Sequence, residues 1–350
     1  MIIIYGIILS LLSILGSHRF LTALFYLKHR KNKLLPTTSP PQKITIQLPI
    51  FNEQNVVERL LDAVCALKWS INLLEIQVLD DSTDETKDIL ERLIQIHQSN
   101  GLNISHIHRD KRTGYKAGAL AHGLQFAQGE FIAIFDADFI PPPNFLEHSM
   151  QYFTHADIGM VQTRWGHLNR HQNLLTELTA ILLDGHFVIE HFARMQMGRF
   201  FNFNGTAGIW RRTCIEDAGG WHHDTITEDL DLSYRAQLKG WEFVYLKDFV
   251  SPAEIPSHVS AFATQQFRWA KGTTQTAIKL LPSIWSARIS FWTKLEASFH
   301  FLGNLSYPLM LCLVFLMPIS AVFRFENYQG LFSFPMLDLI LFISSTLGIL

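Results

Sequence analysis

The sequence predicts an α/β fold in which a mostly parallel sheet carries helices on both faces, accompanied by transmembrane and interfacial helices. Between residues 44 and 135, short apolar runs alternate with segments whose apolar residues recur at helical spacing, which indicates repeated β-α-β units. Two of the apolar runs end abruptly in aspartates, where open α/β sheets collect functional groups. Long apolar stretches occupy both ends of the chain.

The composition favours a membrane protein over a nucleic-acid-binding one. The 350 residues are 48% hydrophobic and include 27 phenylalanines, which is rich for a soluble protein. The formal net charge is −2, and we find no basic stripe with interleaved aromatic residues. We therefore expect the lipid bilayer, and not nucleic acid, among the partners of this chain.

Cysteines and histidines give no metal or disulfide signature. Three cysteines lie far apart without CxxC spacing, so neither a disulfide framework nor a structural zinc site is predicted: Cys65, Cys214 and Cys312. The pairs His222-His223 and His106/His108 have suitable ligand chemistry, but no second pair at metal-site spacing supports either of them. We interpret both pairs as surface or loop histidines.

Residues 1–30 predict a transmembrane helix. No charge occurs between Met1 and Ser17, and after Arg19, which is expected to snorkel or face protein, the apolar pattern resumes for long enough to span about 30 Å of hydrocarbon. Unlike in a signal peptide, the basic residues follow the apolar run: Lys28, Arg30, Lys31 and Lys33. By the positive-inside rule, the chain beyond them is cytoplasmic. The prolines within residues 31–43 predict a short linker.

The α/β domain is expected at residues 44–256. Ser82 with Glu85 three residues later resembles a capping box, which predicts a helix running through Ile94. Apolar periodicity predicts the other elements: strands at 44–48, 76–79, 104–107 and 131–135, and helices at 52–67 and 116–127.

Acidic pairs end two of the predicted strands. Asp136 and Asp138 follow the strand at residues 131–135, and they point the same way if the extended geometry continues. Their hard oxygens suit Mg²⁺ or Mn²⁺ carrying a phosphate. Asp80 and Asp81 end another strand, so two acidic strand ends are expected in one sheet.

A phosphate-transferring hydrolase is the natural alternative for an acidic strand end. Such enzymes carry a DxDx(T/V) motif, in which Thr or Val follows the second aspartate at a spacing of two. Here Phe139-Ile140 follow Asp138, so we discount this alternative.

Three later segments suit either a substrate site or plain structure. Residues 200–208 are rich in Phe, Asn and Gly, and such a loop lets a substrate approach the backbone closely, although a plain connecting loop fits equally well. Glu228 and Asp229 stand just ahead of an amphipathic helix, where acids also serve as structural caps. Arg268 beside Trp269 is commonly a packing pair.

The C-terminal part is again predicted to lie at or within the membrane. Residues 257–299 mix Trp and Phe with Lys and Arg, as expected of interfacial helices on a membrane surface. Residues 300–350 predict two transmembrane helices, of which 301–323 carries no charge and 331–350 carries only Asp338. We expect packing partners for Asp338, and we expect the second span to be cut short where the sequence ends.

Five motifs occur in a fixed order along the chain: Asp80-Asp81-Ser82, Lys116-Ala117-Gly118, Asp136-Ala137-Asp138, Thr227-Glu228-Asp229 and Gln265-Gln266-Phe267-Arg268-Trp269. This series resembles the D, D, DxD, ED, QxxRW signature of membrane-embedded family 2 glycosyltransferases, which include cellulose, hyaluronan and chitin synthases. Residues 112–120, 203–208 and 239–246 look like plant cellulose-synthase-like mannan and glucan synthases. The resemblance covers roughly residues 44–272 and implies a GT-A fold.

The resemblance also implies a role for each motif residue. Asp138 would hold a divalent metal, Mg²⁺ or Mn²⁺, and Asp136 would orient the metal or the ribose. Asp229 would be the general base, and one base without a nucleophile implies inversion. The other implied contacts are nucleoside at Asp80, Asp81 and Lys116, diphosphate at Gln265 and Arg268, and acceptor at Glu228 and Trp269.

The implied activity is inverting transfer of a hexose from UDP-glucose or GDP-mannose to a glycan, forming a β-linked polysaccharide. The implied location is an inner, plasma or Golgi-type membrane, with the catalytic domain in the cytoplasm. Two alternatives stay open: non-processive glycosylation of a membrane lipid, and a catalytically silent protein that binds nucleotide sugars. Silence is disfavoured because binding alone would not require Asp229 and Arg268.

Overall fold

A computed structural model describes residues 2–37, 40–327 and 334–346. The chain forms two compact units. One combines Met1–Lys31 with Ile289–Leu350, and the other comprises Asn32–Arg288.

The larger unit is built on a seven-stranded sheet of order β3-β2-β1-β4-β6-β5-β7. Its strands are β1 Ile44–Ile50, β2 Leu74–Asp80, β3 Ile104–His108, β4 Phe131–Ile134, β5 Ile158–His167, β6 Gly208–Arg211 and β7 Glu242–Ala253. Only β6 runs antiparallel to its neighbours, which confirms the predicted mostly parallel sheet.

Nine α-helices accompany this sheet in the described part of the unit. They are α2 Val57–Cys65, α3 Thr86–Ser99, α4 Tyr115–Phe126, α5 Phe145–Met150, α6 Leu174–Asp184, α7 His191–Gln196, α8 Arg212–Asp217, α9 Glu228–Leu238 and α10 Val259–Ser286. A π-helical turn, Gly185–Glu190, joins α6 to α7.

The two faces of the sheet differ in chemistry. On one face, alternate strand residues such as Ile46 and Val78 share a core with the apolar sides of α2 and α3. On the other face, the side-chain amides of Gln47 and Gln77 hydrogen-bond 3.0 Å apart. Helix α4 covers this polar face, where Gly123 closely approaches Gln47 and Leu79. Helices therefore lie on both faces, as predicted.

Two local predictions are wrong. Ser82 does not cap a helix, because α3 begins at Thr86 and the Ser82 hydroxyl instead accepts the Asn52 N–H at 3.0 Å, tying the loop after β2 to the loop after β1. The extended geometry does not continue from β4 to Asp138 either. The chain turns there, and the Phe139 N–H donates to the Asp136 carbonyl at 3.1 Å.

The smaller unit is helical. Its elements are α1 Ile2–His29, α11 Phe291–Leu302, α12 Ser306–Asn327 and α13 Phe334–Thr346. Helix α1 packs against α12 and α13, and any side chain at Gly16 would collide with the Ser344 carbonyl. His18 joins α1 to α11 by pairing with Glu296 at 2.7 Å and stacking on Phe299.

Two helical stretches of the described chain are long and apolar enough to cross a bilayer, namely Ile3–His29 and Phe291–Ser320. The first lies within the segment predicted at 1–30, whereas the second begins ten residues before the predicted 301–323 span. The segment predicted as interfacial, 257–299, is divided: α10 belongs to the larger unit and α11 to the smaller. Part of the predicted 331–350 span, including the side chain of Asp338, lies outside what the structure describes.

Candidate active site

Residues from four parts of the chain meet beyond the carboxyl end of β4. The Lys116 ammonium, at the start of α4, donates to the Asp136 carboxylate and, at 3.0 Å, to the Gly205 carbonyl. The Asp136 N–H donates to the Thr206 hydroxyl at 2.9 Å. These bonds tie α4, the end of β4 and the loop before β6 into one cluster.

Gly205 brings a fourth element into the cluster. Its backbone has φ +82°, and a Cβ there would lie 3.2 Å from Asp229 Oδ2 and 3.3 Å from Lys116 Nζ. Glycine is therefore favoured by its left-handed conformation, and a Cβ here would crowd both side chains. The carboxylate of Asp229 thus lies beside the Lys116–Asp136 pair.

Asp229 lies in the first turn of α9 and is only partly exposed. Its Oδ1 accepts a hydrogen bond from the Leu230 N–H at 2.8 Å in the first turn of the helix, whereas Oδ2 lies close to Gly205. Burial, followed by the neighbouring charge of Glu228, raises the pKa of Asp229 to about 7 against the opposing effect of Lys116. Burial likewise raises the pKa of Glu228, despite the nearby Lys116.

Asp138 carries a carboxylate without an ionic partner. No ion pair of the described residues includes it. Burial, and then the charge of Asp136, raise the pKa of Asp138 to about 7. The two carboxylates thus retain more negative charge than Lys116 can balance, which is the setting that a divalent cation suits.

Asp80 is fully buried, with both oxygens engaged. Oδ1 accepts the Ser82 N–H at 2.8 Å, and Oδ2 lies 3.0 Å from both His106 Nε2 and His108 Nδ1. Burial disfavours the charge, but the hydrogen bonds from His106, Ser82 and His108 outweigh it and lower the pKa of Asp80 to about 2. His106 and His108 are therefore strand residues bonded to Asp80, contrary to the surface or loop interpretation.

Asp81 forms a two-pronged ion pair that the sequence did not suggest. Arg109 donates to Oδ1 at 2.7 Å and to Oδ2 at 2.6 Å. The same guanidinium donates to the carbonyls of Thr113 and Tyr115, both at 3.1 Å. Arg109 therefore stabilises the turn that precedes Lys116 and so helps to position Lys116 in the cluster.

Helix α10 carries the remaining predicted residues. The exposed Arg268 is close enough for its charge to lower the pKa of Glu228, although burial and Lys116 have larger effects. Trp269 and Gln265 are half-buried, and Trp269 packs against a small core that includes Leu183 and Phe187. Trp269 thus has a packing role, and its partner is this core, whereas the sequence had suggested Arg268.

Helix α10 is held in position by contacts with Thr227, the residue just before α9. Gly272 lies against the side chain of Thr227, whose hydroxyl is 3.2 Å from that of Thr276. One turn further along, Lys279 pairs with the buried Asp231 at 2.8 Å. Since Asp231 belongs to α9, these contacts fix α10 next to the helix that begins with Glu228 and Asp229.

Comparison with known proteins agrees with this architecture. Residues 40–272 match the family model "Glycosyltransferase like family 2". The chain is 40% identical over 273 residues to Glucomannan 4-beta-mannosyltransferase 1 of Oryza sativa subsp. japonica, covering 75% of this chain and 52% of that protein. It is 42% identical over 264 residues to Glucomannan 4-beta-mannosyltransferase 2 of Arabidopsis thaliana, covering 74% and 49%. The chain thus spans about half the length of these relatives.

Solved structures share the fold at low sequence identity. The mannosyltransferase PcManGT from Pyrobaculum calidifontis, in complex with GDP-Man and Mn²⁺, superposes with a TM-score of 0.69 at 19% identity, covering 97% of this chain and 99% of that one. S. aureus TarS 1–349 in complex with UDP gives 0.53 at 16% identity, covering 74% and 70%. The GT-A arrangement of the sheet is therefore confirmed, and from the match over residues 40–272 the chain belongs to glycosyltransferase family 2.

Proposed function

We propose that this chain is an inverting mannosyltransferase that moves mannose from GDP-mannose to a hydroxyl of a β-linked glycan. One observation carries the proposal: the carboxylate of Asp229, with a pKa near 7, lies in the same cluster as Lys116 and Asp136. A group that titrates near neutrality is suited to accept a proton at physiological pH. The names of the plant relatives and the GDP-Man in PcManGT favour mannose over glucose.

The proposed chemistry is a single displacement. The acceptor hydroxyl oxygen forms a bond to the anomeric carbon of mannose as the bond from that carbon to the diphosphate breaks. Asp229 takes the hydroxyl proton, and the diphosphate leaves with the bonding electrons. Because attack and departure occur on opposite faces of the sugar, an α-linked donor gives a β-linked product.

The remaining cluster residues are proposed to bind the donor and its metal. Asp138 and Asp136 would hold Mg²⁺ or Mn²⁺, since both are oxygen donors and their charge exceeds that of Lys116. The ion would neutralise charge on the diphosphate when bound. Arg268 and Gln265 would contact the same diphosphate, with the planar guanidinium suited to bidentate bonding.

Nucleoside and acceptor contacts complete the proposal. Asp81 and Lys116 would contact the nucleoside, whereas Asp80, being enclosed, would act through His106 and His108. Glu228 and Trp269 would contact the acceptor. For Trp269 this requires that part of the ring remain free of its packing contacts, in keeping with its half-buried state.

The proposed setting is a membrane with the larger unit in the cytoplasm. The two apolar helices support membrane attachment, and the basic residues at and just beyond the end of the first support the orientation: Lys28, Arg30, Lys31 and Lys33.

A donor comparison tests the proposed function. Purified protein in detergent would be incubated with labelled GDP-mannose or UDP-glucose, β-1,4-mannotetraose and Mn²⁺, and the products would be sized and digested with endo-β-mannanase. We expect mannanase-sensitive oligosaccharides from GDP-mannose alone. If label appears only in extracted lipid, the acceptor is a lipid and not a glycan. Absence of transfer from either donor would contradict the proposal.

A further inference from the structure

Two neighbouring strands carry three metal-ligating side chains on one face of the sheet. Strands β2 and β3 pair in parallel, with Asp80 opposite His108 and Val78 opposite His106. Because His106 and His108 are two residues apart, both side chains lie on the same face of β3 as the Asp80 carboxylate. This group is outside the Asp136 and Asp138 pair proposed to hold Mg²⁺ or Mn²⁺.

The spacing of the three ligand atoms fits one small cation. Asp80 Oδ2 lies 3.0 Å from His106 Nε2 and 3.0 Å from His108 Nδ1, and all three atoms are within 4.8 Å of one another. Ligands at about 2.0 to 2.2 Å from a Zn²⁺ ion are separated from each other by roughly 3 to 3.5 Å. An ion could therefore enter with small side-chain movements.

The ligand chemistry selects the ion. Two imidazoles and one carboxylate are a ligand set of zinc sites, in which three protein ligands leave a further position open. Mg²⁺ and Ca²⁺ instead prefer oxygen ligands alone. The histidine site and the aspartate pair would thus bind different metals.

The surroundings hold the ligands in place. The Asp80 side chain is 0% exposed, and those of His106 and His108 are 15% and 26% exposed. The second oxygen of Asp80 is fixed by the Ser82 N–H at 2.8 Å. The other ring nitrogen of His108 lies 3.8 Å from the fully exposed Asp110 carboxylate, which is too far for a hydrogen bond.

A second cluster, of one histidine and two aspartates, provides a contrast. His222, Asp224 and Asp231 also gather their ligand atoms within 4.8 Å, but the Lys279 ammonium lies 2.8 Å from both aspartates and 3.3 Å from the His222 ring. A permanent charge thus already occupies the place of a metal. Among the ion pairs of the described chain, Asp80 has only the two histidines as partners.

We propose that Asp80, His106 and His108 form a Zn²⁺ site at the edge of the catalytic sheet. The partly exposed histidines leave the open coordination position toward solvent. A regulatory consequence rests on the proposed function: if the nucleoside binds beside these histidines, bound Zn²⁺ competes with the donor.

Calorimetric titration of the full-length protein with ZnCl₂, in excess Mg²⁺ and without nucleotide, tests the site directly. We expect His106→Gln and His108→Gln each to weaken zinc binding at this site by more than the 10- to 100-fold typical of losing an outer-shell partner. His222→Gln is the matched control and should bind zinc like the wild type. Unchanged zinc binding in both histidine variants would overturn the site.

A measurement on the wild-type protein covers the case in which a variant fails to fold. Diethyl pyrocarbonate modifies free imidazole nitrogens, and peptide mass spectrometry reports which histidines react. Zn²⁺ should protect His106 and His108 while leaving the exposed His223 reactive. Equal modification of all three with and without Zn²⁺ would refute the proposal.

The regulatory consequence has its own readout. Zn²⁺ should raise the KM for GDP-mannose without changing kcat. In His106→Gln the KM should be the same with and without Zn²⁺, whatever value the substitution itself gives it. Zinc binding by calorimetry without any change in KM would support the site and contradict the placement of the nucleoside.

Discussion

Replacement of Asp229 by Asn separates chemistry from binding. Asparagine is nearly isosteric and its carbonyl can still accept the Leu230 N–H, which is bonded at 2.8 Å, so the start of α9 should persist. What the variant loses is the capacity to take a proton. A general base contributes about 10²- to 10⁴-fold to a rate, equivalent to about 3 to 5 kcal/mol of the barrier. We therefore expect turnover to fall by that factor.

The pH profile follows from the charges around Asp229. Burial and Glu228, with a smaller effect from Asp136, raise its pKa to about 7, while Lys116 and the Leu230 N–H oppose the rise. The base acts only when ionised, so kcat/KM of the wild type should fall about tenfold per pH unit below 7 and level off above it. Saturating Mn²⁺ would keep Asp138 ionised, although burial raises its pKa to about 7, so under that condition Asp229→Asn should lack this acidic limb.

Initial rates between pH 5.5 and 8.5, beside calorimetric titration with GDP-mannose, provide the assay. Asp229→Asn should bind the donor within about twofold of wild type, whereas Asp138→Asn should bind it more weakly because a metal ligand is lost. Asp224→Asn is the matched control: its side chain is 60% exposed and pairs with Lys279, so both rate and affinity should stay near wild type. Near-normal turnover in Asp229→Asn, or a donor affinity as poor as that of Asp138→Asn, would show that Asp229 is not the base.

Three further outcomes are expected. EDTA should abolish transfer and Mg²⁺ or Mn²⁺ should restore it. Full activity in excess chelator would show that transfer does not need the proposed metal. Gly205→Ala should lower both thermal stability and turnover, because Cβ meets Asp229 and Lys116 at φ +82°, whereas Gly240→Ala, at φ +97° in open space, should lower stability alone. Equal turnover in the two glycine variants would contradict the crowding argument. Protease added outside intact cells should spare residues 44–256, and cleavage there would reverse the proposed orientation.

Much of the fold was predictable because burial gives each strand a recognisable run or pattern of apolar residues in the sequence. The predicted strand at 44–48 lies within Ile44–Ile50, and that at 104–107 within Ile104–His108. Local signals failed where a distant partner competes with them. The residues around Ser82 suggest that it caps a helix. Its hydroxyl instead accepts a hydrogen bond from the N–H of Asn52, thirty residues earlier in the chain. Sequence spacing alone contains no information about that partner.

Motif order identified Lys116, Asp136 and Asp229, and the structure brings them together across three elements. The partners of the acidic residues were harder to predict, because they depend on strand register. His106 and His108 share a strand face, and the register of β3 against β2 decides that Asp80 is their neighbour. The available signal was the two-residue spacing of the histidines, of which His106 lay in the predicted strand at 104–107 and His108 just beyond its end.

The loop before β6 shows why composition left two interpretations equally open. Its aromatic residues anchor it, since Phe201 and Phe203 are buried and the Phe203 N–H donates to Ser233 at 2.9 Å. Its glycine instead faces the cluster, with the Gly205 carbonyl bonded to Lys116. A plain connecting loop and a loop built for close approach use the same residue types. Here one segment does both, because firmly packed aromatic residues hold the buried backbone at Gly205 in a conformation that accommodates Lys116 and Asp229.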